Sequence, residues 1–192
     1  MNHYEGYRIT SPYGQRISPI NNEPEKHTGI DLAKSDKSDI HAFVEGLVVH
    51  ASFAEKGSGV GGFGNAVCIV DKNKKLHLYG HLNSCSVKIN DKVSKGQKIG
   101  TQGNTGQSAG SHLHYEIRTS STPSFGWRTD INPTEYLDEY YKSDNIVEKK
   151  LDWKEEALKF LQEEYGIDKT WKATDTVNFA ILGAILSKKE KK

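Results

Sequence analysis

Two histidines separated by a single residue, His112 and His114, stand in the stretch Gly110-Ser111-His112-Leu113-His114-Tyr115-Glu116-Ile117. In an extended strand alternate side chains share a face. His112, His114 and Glu116 then point one way, and Leu113, Tyr115 and Ile117 the other. The apolar face can pack on a core. The two imidazoles opposite gain little from each other unless something binds them; the bland alternative is a polar strand face. A second pair, His27 and Asp31, is four residues apart. That spacing makes the two side chains co-facing on a helix and on a strand alike, so it sets a shared direction and leaves the element open. Taken alone, the pair is better read as a His–Asp hydrogen bond. A third group, Leu76-His77-Leu78-Tyr79-Gly80-His81-Leu82, alternates so that His77, Tyr79 and His81 share a face while Leu76 and Leu78 turn to the core. Either His77 or His81 could act chemically; the pattern does not choose.

Imidazole nitrogen and carboxylate oxygen both suit Zn²⁺. His27, Asp31 and one of His112 or His114 make three protein ligands. Three ligands with a fourth position left open is the pattern of catalytic zinc, whereas structural zinc closes its shell, usually with cysteines. Neither Cys68 nor Cys85 lies in a Cys-x-x-Cys motif, and two cysteines are too few for a disulfide scaffold. Cys68, inside Ala66-Val67-Cys68-Ile69-Val70, reads as a buried free thiol.

The elements that must position these residues are short strands. Alternating runs at 42–52, 65–71, 75–81, 86–89, 97–102 and 112–119 are separated by glycine clusters and turns. Asp71-Lys72-Asn73-Lys74 reads as a hairpin turn. Repeated strands without intervening helical patterns predict a mainly β fold built on antiparallel sheet. The pattern changes near residue 143. Asp152 can cap a helix with apolar positions Ala157, Leu158, Phe160, Leu161 and Tyr165, stopped by Gly166, and a second helical run follows at 176–186. The expected organisation is a catalytic domain over 1–142 and a small α-helical segment over 143–192, ending in a solvated lysine-rich tail. That segment would pack on the first domain, or would serve binding or oligomerisation through Trp153, Trp171 and Phe179.

The chain has 192 residues, 35% hydrophobic and 27% charged, with a net charge of +1. This balance is that of a globular domain and lacks the basic surface of a nucleic-acid binder. No window approaches the ~20 apolar residues of a membrane span. The first residues carry no basic start and no apolar stretch, so no secretory signal is expected.

These motifs together resemble the lysostaphin-type zinc endopeptidases of peptidoglycan. The order is His27-x-x-x-Asp31, then Tyr79-Gly80-His81-Leu82, then Gly110-Ser111-His112-Leu113-His114-Tyr115-Glu116. Stretches 40–49, 62–67, 93–100 and 103–106 resemble the family's intervening strands, and the likeness covers roughly residues 8–133. It implies that His27, Asp31 and His114 hold Zn²⁺ and that His81 and His112 are non-ligand catalytic histidines. It thereby favours His81 over His77, and His114 over His112 as the ligand. It also implies the family's fold, a groove on an antiparallel β-sheet, and bacterial peptidoglycan as the substrate. His112 is the expected general base and His81 the group that stabilises an oxyanion or steers the proton; the two roles are exchangeable at this stage. His41 and His50 read as ordinary strand residues.

The rival from another class is a non-catalytic wall-binding or hydrolase-activating protein on the same fold, but such proteins typically lack part of the zinc set, which is complete here. Gly59-Val60-Gly61-Gly62-Phe63-Gly64 matches a dinucleotide fingerprint but is followed by a strand where that motif needs a helix, so it reads as a loop beside the substrate groove. Val93-Ser94-Lys95-Gly96-Gln97 resembles a carrier-domain hairpin without the exposed modifiable lysine. The stretch starting at Asp152 resembles helical tails of phage-encoded proteins. With the missing signal it leads to the expectation of a phage or prophage endolysin made in the cytoplasm and released through a holin, or carried in a virion.

Overall fold

A computed structural model describes residues 3–4, 6–122 and 124–165. Thirteen strands are β1 (Arg8–Ser11), β2 (Gly14–Ile17), β3 (Pro24–His27), β4 (Ile30–Ala33), β5 (Asp39–His41), β6 (Gly46–Phe53), β7 (Asn65–Val70), β8 (Leu76–Leu82), β9 (Ser84–Cys85), β10 (Lys92–Val93), β11 (Lys98–Thr101), β12 (Leu113–Arg118) and β13 (Asp130–Ile131). One long helix, α1 (Pro133–Tyr165), follows. Seven strands run in the order β1-β4-β12-β8-β7-β6-β10, and β13 adds to β12; β5-β11-β9 and β2-β3 form smaller sheets. The strand pairings are antiparallel. The expected mainly β, antiparallel architecture is thus what the chain adopts.

Burial on both faces of the central strands explains their composition. Leu113, Tyr115 and Ile117 of β12 are fully buried on one face, as the alternation required. There the rings of Tyr4, Phe43, Tyr79 and Tyr115 pack at tilted and edge-on angles, with Phe43 and Tyr115 4.7 Å apart. The opposite face carries a second apolar cluster of Ala54, Val60, Cys68, Leu76 and Leu78, closed by Phe63, Val70 and Phe125. Each fully buried leucine contributes about 1.5–3 kcal/mol relative to exposure. Cys68 is the free, buried thiol expected, and burial pushes its pKa up to about 12. The hairpin between β7 and β8 is confirmed: Asp71 Oδ1 accepts from the Asn73 and Lys75 amides.

Several expectations need correction. The run at 42–45 is a buried loop, and β6 starts only at Gly46. Ala42, Phe43 and Val44 are apolar because they fill the space under the sheet, with the Phe43 amide donating to the Tyr79 hydroxyl. Residues 86–89 form a turn region, held by the Lys88 amide on the Asp91 carboxylate, and the strand here is the shorter β9. The strands β1 to β5 lie where no strand was expected. They are three or four residues long, too short to show a period, and in β1 to β3 the exposure of the side chains leaves little apolar alternation to read.

The helix begins earlier than its apolar pattern indicated. Asn132 Oδ1 accepts from the Thr134 amide, and Asn132 Nδ2 donates to Glu135. Pro133 takes the first helical position, where its missing N–H costs nothing. Asp152 therefore lies inside α1 and not at a helix start. Gly166, Trp171, the second helical run at 176–186 with Phe179, and the lysine-rich tail lie outside the described residues. Backbone contacts divide the chain into two compact units, Met1–Asp138 and Glu139–Lys192. Among the described residues no helix is long and apolar enough to cross a membrane. If Asn132 caps α1, Asn132→Ala will lower unfolding stability by about 1 kcal/mol in denaturant titration; an unchanged midpoint would mean the cap is idle.

Candidate metal centre

The centre is assembled where β4 meets β12. Asp31 and His114 are direct cross-strand partners in that antiparallel pair. His27 closes β3, and the two-residue turn Thr28-Gly29 brings it back beside Asp31. The co-facing implied by the four-residue spacing is real, but it arises across a turn between two strands. Gly29 is required by close approach: a Cβ there would sit 2.7 Å from His114 Nε2 and 2.4 Å from the Tyr115 carbonyl oxygen.

Three atoms converge. His27 Nε2 lies 3.1 Å from His114 Nδ1 and 3.1 Å from Asp31 Oδ1, and His114 Nδ1 lies 3.0 Å from Asp31 Oδ1. All three residues are buried. Their partners fix which nitrogens carry hydrogen. His27 Nδ1 is 2.8 Å from the Pro12 carbonyl oxygen, which can only accept. His114 Nε2 is 3.2 Å from Glu116 Oε2, again an acceptor. Both neutral rings thus spend their N–H outward and turn a lone pair inward, toward a carboxylate oxygen. Three acceptors in mutual contact call for a cation between them. Tetrahedral zinc with bonds near 2.0–2.2 Å would space its ligands by about 3.3 Å, close to what is seen. The donor set therefore fits a metal ion, and these are the described residues that form such a group.

Supporting charges surround the set. Arg16 Nη1 donates to Asp31 Oδ2 at 2.8 Å and to Ser11 Oγ at 2.8 Å, while its Nε meets Glu25 at 2.7 Å. This leaves Asp31 Oδ1 as the inward oxygen. Burial opposes the Asp31 carboxylate, but the imidazoles of His112, His114 and His27 outweigh it and hold its pKa far below the usual range. Burial likewise pulls the His114 pKa down, and the carboxylates of Asp31 and Glu116 on either side outweigh it, raising it overall. Glu116 also accepts from Thr28 Oγ1 and Arg118 Nε. Phe63 stacks on the His114 ring with centroids 4.9 Å apart.

The other histidines separate clearly. His112 Nδ1 meets the Gly110 carbonyl at 2.8 Å, and its Nε2 is 3.4 Å from Asp31 Oδ1. His81 stands 4.9 Å from His112 and 5.9 Å from His114, ring to ring. Its Nδ1 meets the Thr105 carbonyl at 2.8 Å. Burial first, then the charge of His114, pushes its pKa down to about 4. The expected alternation of His77, Tyr79 and His81 on one face fails here. A register shift in the β7–β8 pairing, opposite Ala66, accompanies a φ of 60° at His81 and turns that side chain to the metal side. His77 stays on the far face, bonded to Asp71 and the Tyr115 hydroxyl. Arg16, Phe63 and Arg118 were missed from sequence, because their roles depend on pairings between distant strands and loops; only Glu116 was flagged, by its co-facing with His114.

Asp31, His81, His112 and His114 line a groove of about 470 Å³. A second groove of about 750 Å³ runs beside the glycine-rich loop 57–64 and Trp127, and Gln107 borders both. That loop follows β6 and leads into β7, so the dinucleotide reading is excluded.

An antiparallel sheet thus carries three converging side chains able to hold a metal ion in a groove. Residues 25–125 match Peptidase family M23, and the chain belongs to that family. It is 40% identical over 116 residues, 60% of its length, to DD-carboxypeptidase/endopeptidase Mpg of Neisseria meningitidis, and covers 25% of that protein. The chain thus spans about a quarter of the length of this curated relative. The catalytic domain of the antimicrobial peptidase lysostaphin from Staphylococcus simulans superposes with a TM-score of 0.58 at 28% identity, over 69% of this chain and 92% of that one. A zinc-containing peptidase from Vibrio cholerae gives 0.54 at 26% identity, over 68% of this chain and 38% of the other.

The supporting shell is testable apart from catalysis. Glu116→Gln keeps the shape and removes the charge facing His114 Nε2, so metal affinity should fall about 10- to 100-fold in chelator competition; equal affinity would mean Glu116 does not tune the site.

Proposed function

We propose that this chain is a zinc endopeptidase that hydrolyses peptide bonds in the stem peptides or cross-bridges of bacterial peptidoglycan. The observation that carries the reading is the trio of inward-facing acceptors from His27, Asp31 and His114, with His81 and His112 at its rim. Membership of the M23 family and likeness to Mpg and lysostaphin support the substrate class. Zinc is supported by the mixed nitrogen and oxygen donors and by the zinc-containing neighbour. Held there, Zn²⁺ would supply Lewis acidity and a water acidic enough to attack near neutral pH.

The chain's own groups handle the proton. His112 Nδ1–H is tied to the Gly110 carbonyl, so Nε2 faces the centre as a base. Its ring edge reaches the Asp31 oxygen at 3.4 Å, at the rim of the three ligand atoms, where it would take the proton of an attacking water, and it is our choice of general base. His81 is locked the same way by Thr105 and also presents a lone pair. It must gain a proton before it can donate to a carbonyl oxygen, so steering the water and relaying its proton suits it better than a standing oxyanion contact. A non-catalytic wall-binding or activating role is disfavoured by the complete donor set. We also read the chain as a lysin of phage or prophage origin, released through a holin or carried on a virion, from the likeness of the segment after Asp152 to phage-encoded tails.

Mass spectrometry of digested peptidoglycan tests the activity and names the bond cut. The roles are tested by two substitutions. His112→Ala should keep zinc and lose kcat by about 10²–10⁴-fold, whereas His114→Ala should lose the zinc itself in metal analysis. Zinc lost from the first and retained in the second would reverse the assignment.

A further inference from the structure

Resting on that reading, the groove itself narrows the substrate. Arg8 lies on β1, the edge strand of the main sheet, directly opposite Ala33 of β4. Ala33 is two residues beyond Asp31, so the Arg8 backbone stands about 7 Å along the strands from Asp31 and one strand spacing, about 4.8 Å, to its side, on the same face. It lines the same groove as Asp31, His81, His112 and His114.

Charge in this groove is unbalanced. Among the described lining residues Asp31 supplies the carboxylate, and both its oxygens are engaged, one by Arg16 and one toward the cluster. Arg16 is itself consumed by Asp31 and Glu25. Arg8 is exposed and has no ion-pair partner among the described residues. A permanent cation with a planar donor fork therefore faces the groove unspent, which suits a carboxylate. Ile17, Pro19 and Ile20 line the groove as well, with Ile17 58% and Ile20 62% exposed. They offer an apolar wall to a small alkyl side chain.

We propose that Arg8 determines specificity by receiving the free α-carboxylate of the amino acid on the amine side of the scissile bond. That carboxylate lies one residue from the bond, about 3.8 Å along the chain, and the long Arg8 side chain spans the rest of the distance from its edge strand to the cluster. The preferred substrate is then a stem peptide that ends in, or is cross-linked through, an amino acid with a free carboxylate. An internal glycine bridge offers no charge at that place.

The probes are a stem pentapeptide ending in D-alanyl-D-alanine, its C-terminal carboxamide, and pentaglycine. Binding is read by calorimetry and cleavage by mass spectrometry, on the zinc-loaded full chain and on its Arg8→Gln and Arg8→Lys forms. Arg8 makes no ion pair among the described residues, so its replacement is expected to leave the sheet intact, and circular dichroism checks this. The unsubstituted chain should bind the carboxylate peptide at least about tenfold more tightly than the carboxamide. The preference should vanish in Arg8→Gln and persist in part in Arg8→Lys. Equal binding of the two peptides, binding of neither, tighter binding of pentaglycine, or a preference surviving in Arg8→Gln overturns the proposal. Carboxylate-selective binding without cleavage upholds Arg8 as the carboxylate receptor and counts instead against the peptidase reading.

Discussion

The structure depends on one enforced contact: three polar atoms held 3.0–3.1 Å apart in a buried place, which in the neutral tautomers set by their outer partners are all acceptors. Left alone this arrangement is unfavourable, since each lone pair has lost water and gained no donor. It persists because each side chain is anchored from behind. The Pro12 carbonyl holds one ring, Glu116 the other, and Arg16 the spare carboxylate oxygen. The repulsion that remains is what a divalent cation removes on binding, and the site is prepared for it at the expense of its own stability.

The anchors do more than orient ligands. Arg118 is fully buried, yet it bonds Glu116 and donates to the Gly59 and Phe125 carbonyls. Gly59 belongs to the glycine-rich loop, and Phe125 to the turn beside Trp127. One cation on the catalytic strand thus ties two walls of the second groove to the carboxylate behind His114. A charge is tolerated at such depth only when paired and hydrogen-bonded, and Glu116 meets that need. The metal shell and the groove walls are therefore one connected polar network laid over the Leu76–Leu78 cluster. This is why the apolar residues of β8 and the polar residues of β12 can share a face.

How much of this could be read in the sequence follows from how local each feature is. The facing of His112, His114 and Glu116 against Leu113, Tyr115 and Ile117 is a property of one strand, and simple alternation found it. The antiparallel class was legible from repeated short runs. His81 was not placed correctly by alternation, because one residue at φ 60° with a register shift reverses the face of everything after it. Of the four strands between Arg8 and Ala33, β1 to β3 escaped notice because their side chains are largely exposed, and β4 because four residues are too few to show its alternation of Ile30 and Leu32 around Asp31. Arg16 reaches Asp31 only because β2 and β3 pair as a hairpin, which spacing along the chain does not encode. The start of α1 was hidden in Asn132-Pro133-Thr134-Glu135, a cap signal that precedes any apolar stripe.

The same tautomer logic that demands a cation also constrains the proposed chemistry. Four imidazoles gather here, and each spends an N–H on an oxygen that can only accept: Pro12, Glu116, Gly110 and Thr105. None has a hydrogen left to offer the centre. An oxyanion formed in the groove would thus find no neutral donor among them, and its charge must be met by the metal ion and by whichever histidine has just taken the water's proton. His112 is the more accessible of the two non-ligands, with 18% of its side chain exposed, and it lies nearer the Asp31 oxygen. Proton uptake at His81 is opposed by burial and by His114. The division of labour between two similar residues thus follows from what lies behind and beside each ring.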